Sequence, residues 1–370
     1  MKISIPKTDL AELLNTVSRG VSGRSTQPVQ STILVSAQDY TLRMTATDLE
    51  YIGVVGESPA EVQEPGTICA PAKALTAIVG SLPDVPVELE ADAAKREMHL
   101  RAGSASVKLH CLPADDYQTL PEPQDPVELT IPSGELAEVL ARTSFACGTD
   151  ETKPRLTGVH FVIDGGRLRL EATDTYQLSV THATSAFPPE LSRKVIVSAS
   201  VLREVERCLA QFTGDVIVQM SNRLVRFVAG SYAFSSRLIQ GEFPNIERIV
   251  PQKFATTVTV PRVPLQDALK RAVLVGGNVM PFRVHLHMAD DGLTITSQGD
   301  HINDSFEEPL EATVSGDPLV IGINAKQLFP ALEAAGTDDV RIRCNTSLKS
   351  LAVDVSGKDW LYIVMPLQDV

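Results

Sequence analysis

The sequence predicts an α+β fold made of three tandem copies of one unit, each with two helices packed on antiparallel sheets. Two observations predict it. The first is a strand–turn–strand pattern that returns at a fixed interval. LRLEATDTYQLSV, residues 168–180, places Leu168 and Leu170 before a turn at Thr173 and Asp174, and Leu178 and Val180 after it. Alternation of period two with β-branched residues is hairpin patterning. LRMTATDLEYIGV, residues 42–54, has the same pattern, and LTITSQGDHI, from Leu293, has it more loosely. Leu42 and Leu168 lie 126 residues apart, and Leu168 and Leu293 lie 125 apart. Self-similarity at a fixed period marks one structural unit used repeatedly. The second observation is a strand-then-helix opening that occurs twice in each unit.

From the N-terminus, ISIPKTDLAELLNTV reads as a strand ending at Pro6. Leu10, Leu13, Leu14 and Val17 then follow at helical spacing, with Asp9 in the first turn. ICAPAKALTAIVGSL repeats this plan, with Ile3, Pro6 and Leu10 returning as Ile68, Pro71 and Leu75. LTIPSGELAEVLART supplies Pro132 and Leu136, and VIVSASVLREVERCL supplies Leu202. VTVPRVPLQDALKRAVLV gives Pro261 and Leu265, and IGINAKQLFPALEAA gives Leu328. Six helices are therefore expected, each followed by strands. The strands are VPVELEAD, MHLRAG and SVKLHCL in the first unit, VIVQM, LVRFVAG and YAFSSRLI in the second, and VRIRC, LAVDV and WLYIVM in the third. The Pro- and acid-rich segment 120–125 and the segment 244–251 read as linkers. They set domains at 1–125, 126–252 and 253–370.

A chain of 370 residues accommodates three domains of common size. Its 43% hydrophobic and 21% charged residues are ordinary soluble composition. The start, MKISIPKTDLAELL, has no basic segment followed by an apolar one, so no signal peptide is expected. No apolar run approaches the roughly 20 residues of a membrane span, and a cytoplasmic chain without a membrane partner is expected. The five cysteines, Cys69, Cys111, Cys147, Cys208 and Cys344, are odd in number and far apart, which predicts free thiols, mostly buried. The net charge of −13 argues against a conventional high-affinity nucleic-acid binder. Any such role needs a local basic face on an acidic body.

Catalytic patterns do not emerge. Asp48 and Asp174 follow Thr at equivalent corners, where Asp bonds its own backbone and closes turns. His285 and His287 alternate onto one side of a strand with no third ligand nearby, so they read as an ordinary strand pair. The chain has no Walker loop, no GxSxG and no cysteine pair at zinc spacing. A non-enzymatic scaffold without cofactor or metal is the expectation. On the fourth helix Arg203 and Arg207 share a face opposite Leu202, Val205 and Leu209. Lys73, Lys270, Arg271 and Lys326 are further helix basics, diluted by Glu12, Glu135, Glu138 and Glu204. From the residues alone, this is either a solvated helix face or a weak basic surface.

Five strings then join the triple repeat: SGRSTQP at 22–28, CLPADDY at 111–117, ATDTYQL at 172–178, EFPNIERIVP at 242–251 and YIVMPLQ at 362–368. Together they resemble the bacterial sliding clamp, the β subunit of the replicative DNA polymerase III, over essentially the whole chain. The resemblance implies the DNA-clamp fold and a head-to-tail homodimer, a six-domain ring around duplex DNA with helices lining the hole. It implies a processivity factor that tethers polymerases and repair proteins. The implied partners are the polymerase α subunit, the clamp loader and other proteins carrying clamp-binding peptides.

The resemblance also implies sites. Arg24, Lys73, Arg203 and Arg207, with Lys270 and Lys326, would face DNA and read backbone without sequence preference. Val107 matches the family's apolar position on the 103–112 strand, and Val273 and Leu274 match the helix pair it meets across the dimer. The family's strand position is often aromatic, and valine buries less area. A peptide pocket between the second and third domains would draw Leu156, Thr173, Thr175, Tyr176, Gln177 and Leu178 from the second. The 244–249 segment would add Pro244, Arg248 and Ile249, and the C-terminal stretch Ile363, Val364, Met365, Pro366 and Leu367. Where the family string is closer to ATDGHRL, this chain has Thr175, Tyr176 and Gln177, and it has Gln368 where a basic residue is frequent. Lost positive charge at the rim implies altered peptide preference. The competing reading is a divergent clamp paralogue that acts as an interaction scaffold without stable DNA encirclement.

Overall fold

Prolines end strands and begin helices in this chain. The computed structural model describes residues 1–21, 28–49, 51–251, 253–275, 282–299 and 304–367. Pro6, Pro71 and Pro132 stand directly before α1 (Lys7–Val17), α2 (Ala72–Ser81) and α3 (Ser133–Ala141). Then come α4 (Ala199–Leu209), α5 (Arg262–Val275) directly after Pro261, and α6 (Ala325–Ala335). Proline lacks the N–H that would extend a strand ladder, and its φ is already set for a helix start. The Pro6 carbonyl accepts the Leu10 N–H at 3.1 Å. Before α6 the Asn324 side chain accepts the Lys326 N–H at 3.1 Å, a side-chain cap in place of proline. Gly336, at φ 63°, ends α6 in the left-handed conformation. Pro330 lies inside α6, so the Lys326 carbonyl four residues earlier lacks its helical donor.

Each helix buries one stripe. Leu10, Leu13, Leu14 and Val17 are the buried face of α1, and Val201, Leu202, Val205 and Leu209 that of α4. The described strands form antiparallel ladders, and the chain divides into two compact units. The first comprises Met1–Leu136 and Ser200–Leu238, and the second Ala137–Ala199 and Ile239–Val370.

The first unit holds two sheets. One runs in the order Glu61–Glu64, Lys2–Ile5, Val87–Asp92, Glu97–Ala102, Ala105–His110. The other begins with Val127–Pro132, Asp215–Met220, Leu224–Ala229 and Tyr232–Ile239. It continues through Ile52–Pro59, Thr41–Thr47, Thr32–Gln38 and Gly66–Pro71. The link is the pairing of Tyr232 with Gly56 and Ser236 with Ile52. Gly56 leaves room there: a Cβ on it would sit 2.6 Å from Leu13 of α1 and 2.9 Å from the Tyr232 ring.

In the second unit, Arg193–Ser198, Gly158–Asp164, Arg167–Thr173 and Gln177–His182 pair in that order. Trp360–Val364, Leu351–Asp354, Asp339–Cys344 and Thr256–Pro261 extend the same sheet. The second sheet has the order Ser305–Leu310, Gly292–Gln298, Arg283–Ala289, Leu319–Asn324. Leu265, Leu269, Leu328 and Leu332, from α5 and α6, fill one core with Leu286, Ile295, Ile342 and Tyr362. The join at Gln177–His182 with Trp360–Val364 repeats the join at Ile52–Pro59 with Tyr232–Ile239. Each ties the middle third of the sequence to a neighbour. The hairpins expected at 168–180 and 42–54 are both present, while the corner of the third copy, at 300–303, lies outside the described residues.

Candidate functional site

The corner of the second hairpin is closed by its own side chains. Asp174 Oδ1 accepts the N–H groups of Tyr176 and Gln177 at 2.8 and 2.9 Å. The Thr173 hydroxyl donates to the Gln177 carbonyl at 2.6 Å and accepts the Thr175 N–H at 3.2 Å. Thr47 and Asp48 make the equivalent bonds, with Asp48 Oδ1 accepting from Tyr51 and Ile52 at 2.8 Å each. The two aspartates are thus turn residues. His287 Nε2 lies 2.8 Å from the Thr296 hydroxyl, and among the described residues no group of three or more His, Cys, Asp or Glu could hold a metal ion.

This corner borders a groove within the second unit. Gln177 pairs with Val364 and Leu178 with Ile363, and the Met365 N–H donates to the Tyr176 carbonyl at 2.9 Å. The Tyr362 hydroxyl, 2.9 Å from Gln177 Oε1 and 2.8 Å from the Gln327 carbonyl, fixes the strand from below. Burial pushes its phenol far above the ordinary value, so it stays a neutral hydroxyl. Gln177 Nε2 donates to Asp174 Oδ2 at 2.9 Å. Leu178, Ile363, Ile246 and Ala352 form a buried cluster with Phe243, Val250 and Phe254 packed on it. Above it Ile249, Leu348 and Met365 are 46%, 67% and 45% exposed. They line an open groove with Arg248, Val250, Pro251, Lys253, Asn345, Lys349 and Ser350.

Of the expected pocket residues, Arg248, Ile249 and Met365 line this groove. Leu178 and Ile363 lie in the buried cluster, and Val364 in the core of the second unit. Thr173 is buried as the corner's lock, whereas Thr175 and Tyr176 are exposed. Leu156 is buried, and its carbonyl accepts the Gly148 N–H at 2.7 Å. Pro244, Pro366 and Leu367 are half-buried. Sequence reasoning missed the other wall, Lys253, Asn345, Leu348 and Lys349. NTSLKS, residues 345–350, has no period, and its only signal was an apolar residue between polar neighbours.

The basic helix positions are where the periodicity put them. Lys73, Arg203 and Arg207 are exposed in the first unit, Lys270 and Lys326 in the second. Arg207 pairs with Glu204 at 2.7 Å, and Arg19 reaches the same carboxylate at 3.2 Å. Lys270 pairs with Asp267 at 3.2 Å, and Lys326 Nζ lies 3.4 Å from the Phe282 ring centroid. Lys73 and Arg203 have no ion-pair partner among the described residues. Arg24 lies outside them, as does Gln368.

Two sheet edges complete the inventory. Ala105–His110, with half-buried Val107, is the outermost strand of its sheet in the first unit. Ser305–Leu310 is outermost in the second unit, tied to α5 by Arg271 on Glu308 at 2.6 and 2.8 Å. On α5, Val273 packs partly on the core and Leu274 is 79% exposed.

Family profiles described as DNA polymerase III beta subunit N-terminal, central and C-terminal domain match residues 1–121, 130–245 and 247–368. The chain belongs to the DNA polymerase III beta subunit family. A relative named Beta sliding clamp from Pseudomonas aeruginosa is 30% identical over 372 residues, covering all of both chains. Among solved structures, a Pseudomonas aeruginosa DnaN sliding clamp bound to griselimycin aligns over all of both chains with a TM-score of 0.94 and 29% identity. A DNA polymerase sliding clamp from Bacillus subtilis aligns equally fully, with a TM-score of 0.94 and 26% identity. The three domains expected from the repeat, and the clamp fold implied by the family resemblance, with helices packed on antiparallel sheets, are the fold of this chain. Sliding clamp, the function expected from the sequence, is what these relatives are named for. Among the described residues no helix is long and apolar enough to cross a membrane.

Proposed function

We propose that two copies of this chain close head to tail into a six-domain ring on duplex DNA in the cytoplasm, with domain boundaries near 125 and 252. The ring tethers polymerases, including the polymerase III α subunit, and is placed by a clamp loader. The observation that carries this reading is the pair of outermost strands, Ala105–His110 and Ser305–Leu310, one in each compact unit. A free edge is a template for another strand, and pairing two of them removes both liabilities. The first edge carries Lys108, paired with Glu97 of its own sheet, and the second carries Glu307 and Glu308, the latter paired with Arg271. Val107 on the first would meet Val273 and Leu274 beside the second.

Encirclement also reconciles a net charge of −13 with a polyanionic track. A molecule retained by topology needs no tight grip, and many strong phosphate contacts would make binding steeply salt-dependent. Lys73 and Arg203 are free to meet phosphates, while Arg207 and Lys270 are partly neutralised by neighbouring carboxylates. Such a face centres the duplex and reads no sequence. No chemical step is assigned to the chain. The groove beside Met365 takes an extended peptide from each tethered partner, and its methionine and aliphatic side chains adapt to several ligands.

The test is loading by the cognate loader onto nicked circular DNA, followed by linearisation. The ring reading expects retention on the circle and rapid loss after cutting. Equal loss from circular and linear DNA would instead favour the open scaffold.

A further inference from the structure

We propose that the peptide groove selects partners whose apolar anchors are flanked by acidic residues, and that Lys253 and Lys349 with Arg248 make this selection. The proposal rests on the peptide-binding reading of the groove. Among the described residues its charged lining consists of these three cations, with no carboxylate. Arg248, Lys253 and Lys349 are all exposed, and none has an acidic partner among the described residues. In a chain of net charge −13 this is a local inversion of sign. On the helices, by contrast, Arg207, Lys270 and Arg271 are each paired with a carboxylate.

The cations stand on a fixed frame. Asn345 Nδ2 donates to the Lys253 carbonyl at 2.8 Å, and its Oδ1 accepts the Ala255 N–H at 3.0 Å. The Arg343 guanidinium lies over the Phe254 ring at 4.3 Å, and Phe254 packs on the buried Leu178–Ile363 cluster. The Lys349 N–H donates to the Thr346 carbonyl at 3.2 Å, and the Ile249 N–H to the Ile246 carbonyl at 2.9 Å. Residues 248–251 and Lys253, together with Asn345 and 348–350, therefore line one groove in which the three cations stand beside the exposed Ile249, Leu348 and Met365. At the corner bonded to Met365, Asp174 and Gln177 bond each other, and Tyr176 and Thr175 carry no charge. The charge this groove offers a ligand is thus that of Arg248, Lys253 and Lys349. An extended ligand with carboxylates there gains attraction at little desolvation cost, because the cations stay exposed.

The exposed Ile249, Leu348 and Met365 favour a peptide over single-stranded nucleic acid, since none of the described residues lining this groove is aromatic and bases gain no stacking platform there. The experiment uses the full chain and three synthetic decapeptides with identical Gln and leucine anchors. One carries two aspartates before the anchors, one two aspartates after them, and one asparagines at all four positions. Affinities are read by fluorescence anisotropy at about 50 mM and about 500 mM salt, since screening separates exposed charge pairs from apolar contact. One aspartate peptide is expected to bind roughly fivefold tighter than the asparagine peptide at low salt. That ratio should fall towards one at high salt and in Lys253→Ser/Lys349→Ser, and persist in Lys253→Arg/Lys349→Arg. Equal binding of all three peptides would overturn the charge selection and leave the peptide groove standing. No binding of any would overturn the groove reading and this proposal with it. Displacement of the aspartate peptide by oligo-dT at equal charge concentration would reassign the cations to phosphate.

Discussion

Thr175 holds a φ of 88°, and Leu49 at the equivalent corner holds 64°. Both values lie where a Cβ is disfavoured and glycine is at ease. The corner keeps its shape because the side chains of Asp174 and Thr173 bind four backbone groups around it. Glycine at this position would relieve strain without disturbing those bonds. Thr175→Gly is expected to raise stability to urea by about 0.5–1 kcal/mol, the strain released less the backbone entropy glycine adds to the unfolded chain. The thiols offer a second measurement at this scale. Burial pushes Cys69 and Cys111 up to about 11 and Cys344 up to about 12. A folded-state value above the unfolded one means the neutral thiol is preferred in the native chain. That contribution is complete below the unfolded value near 9 and is lost as pH rises through 11 to 12. Urea midpoints should therefore be insensitive to these thiols at pH 7–8 and fall between pH 9 and 11. A thiol reagent at pH 8 should find the three unreactive until denaturant is added.

At the scale of elements, the strand Gly158–Asp164 shows how tightly the sheets are built. A Cβ on Gly158 would stand 2.5 Å from the Val197 carbonyl oxygen and 2.9 Å from the Ile196 and Ile239 side chains. A backbone carbonyl in a ladder cannot yield cheaply, so Gly158→Ala should destabilise the second unit by about 2–3 kcal/mol. Urea unfolding followed by the single tryptophan, Trp360, would read it, since that indole is buried and donates to the Arg142 carbonyl at 3.1 Å. The helices were legible from sequence because two signals coincide: a proline or cap at the start, and leucines at i, i+3 and i+4. The hairpins were legible because Thr-Asp marks their corners. The groove's second wall was not legible. Lys253 and Lys349 sit in short segments without period, 96 residues apart, and the pairing of Thr256–Pro261 with Asp339–Cys344, continued by the Asn345 bonds to Lys253 and Ala255, brings them together. The division into two compact units was equally invisible. It follows from the pairings of Tyr232–Ile239 with Ile52–Pro59 and of Trp360–Val364 with Gln177–His182, long-range choices that no local pattern encodes.

For the whole molecule, the proposed ring would hold DNA only while its joint stays closed, and Leu274 tests that joint. Its side chain is 79% exposed at the end of α5, beside the outermost strand Ser305–Leu310. An exposed leucine contributes little to the fold of its own chain, so Leu274→Asp should leave the urea midpoint of the monomer within about 0.5 kcal/mol of the parent. Across the proposed interface the same change has a different consequence. It places a carboxylate against Val107 and next to Glu307 and Glu308, where like charges and a desolvated aspartate both oppose association. Sedimentation at micromolar concentration is expected to give a dimer for the parent and a monomer for Leu274→Asp. Val107→Phe should shift the equilibrium the other way, since a larger side chain buries more apolar area at the strand edge. Retention on circular DNA should follow the same order: Val107→Phe longest, the parent next, Leu274→Asp lost as fast from circles as from linear DNA. Charge on the helix faces should behave differently. Lys73→Ala/Arg203→Ala should leave the dimer intact and lessen the salt dependence of DNA association, because in the proposed ring those side chains would meet phosphate and not the partner subunit. If Leu274→Asp remained dimeric, the joint would have to lie elsewhere, and the outermost strands would need another explanation.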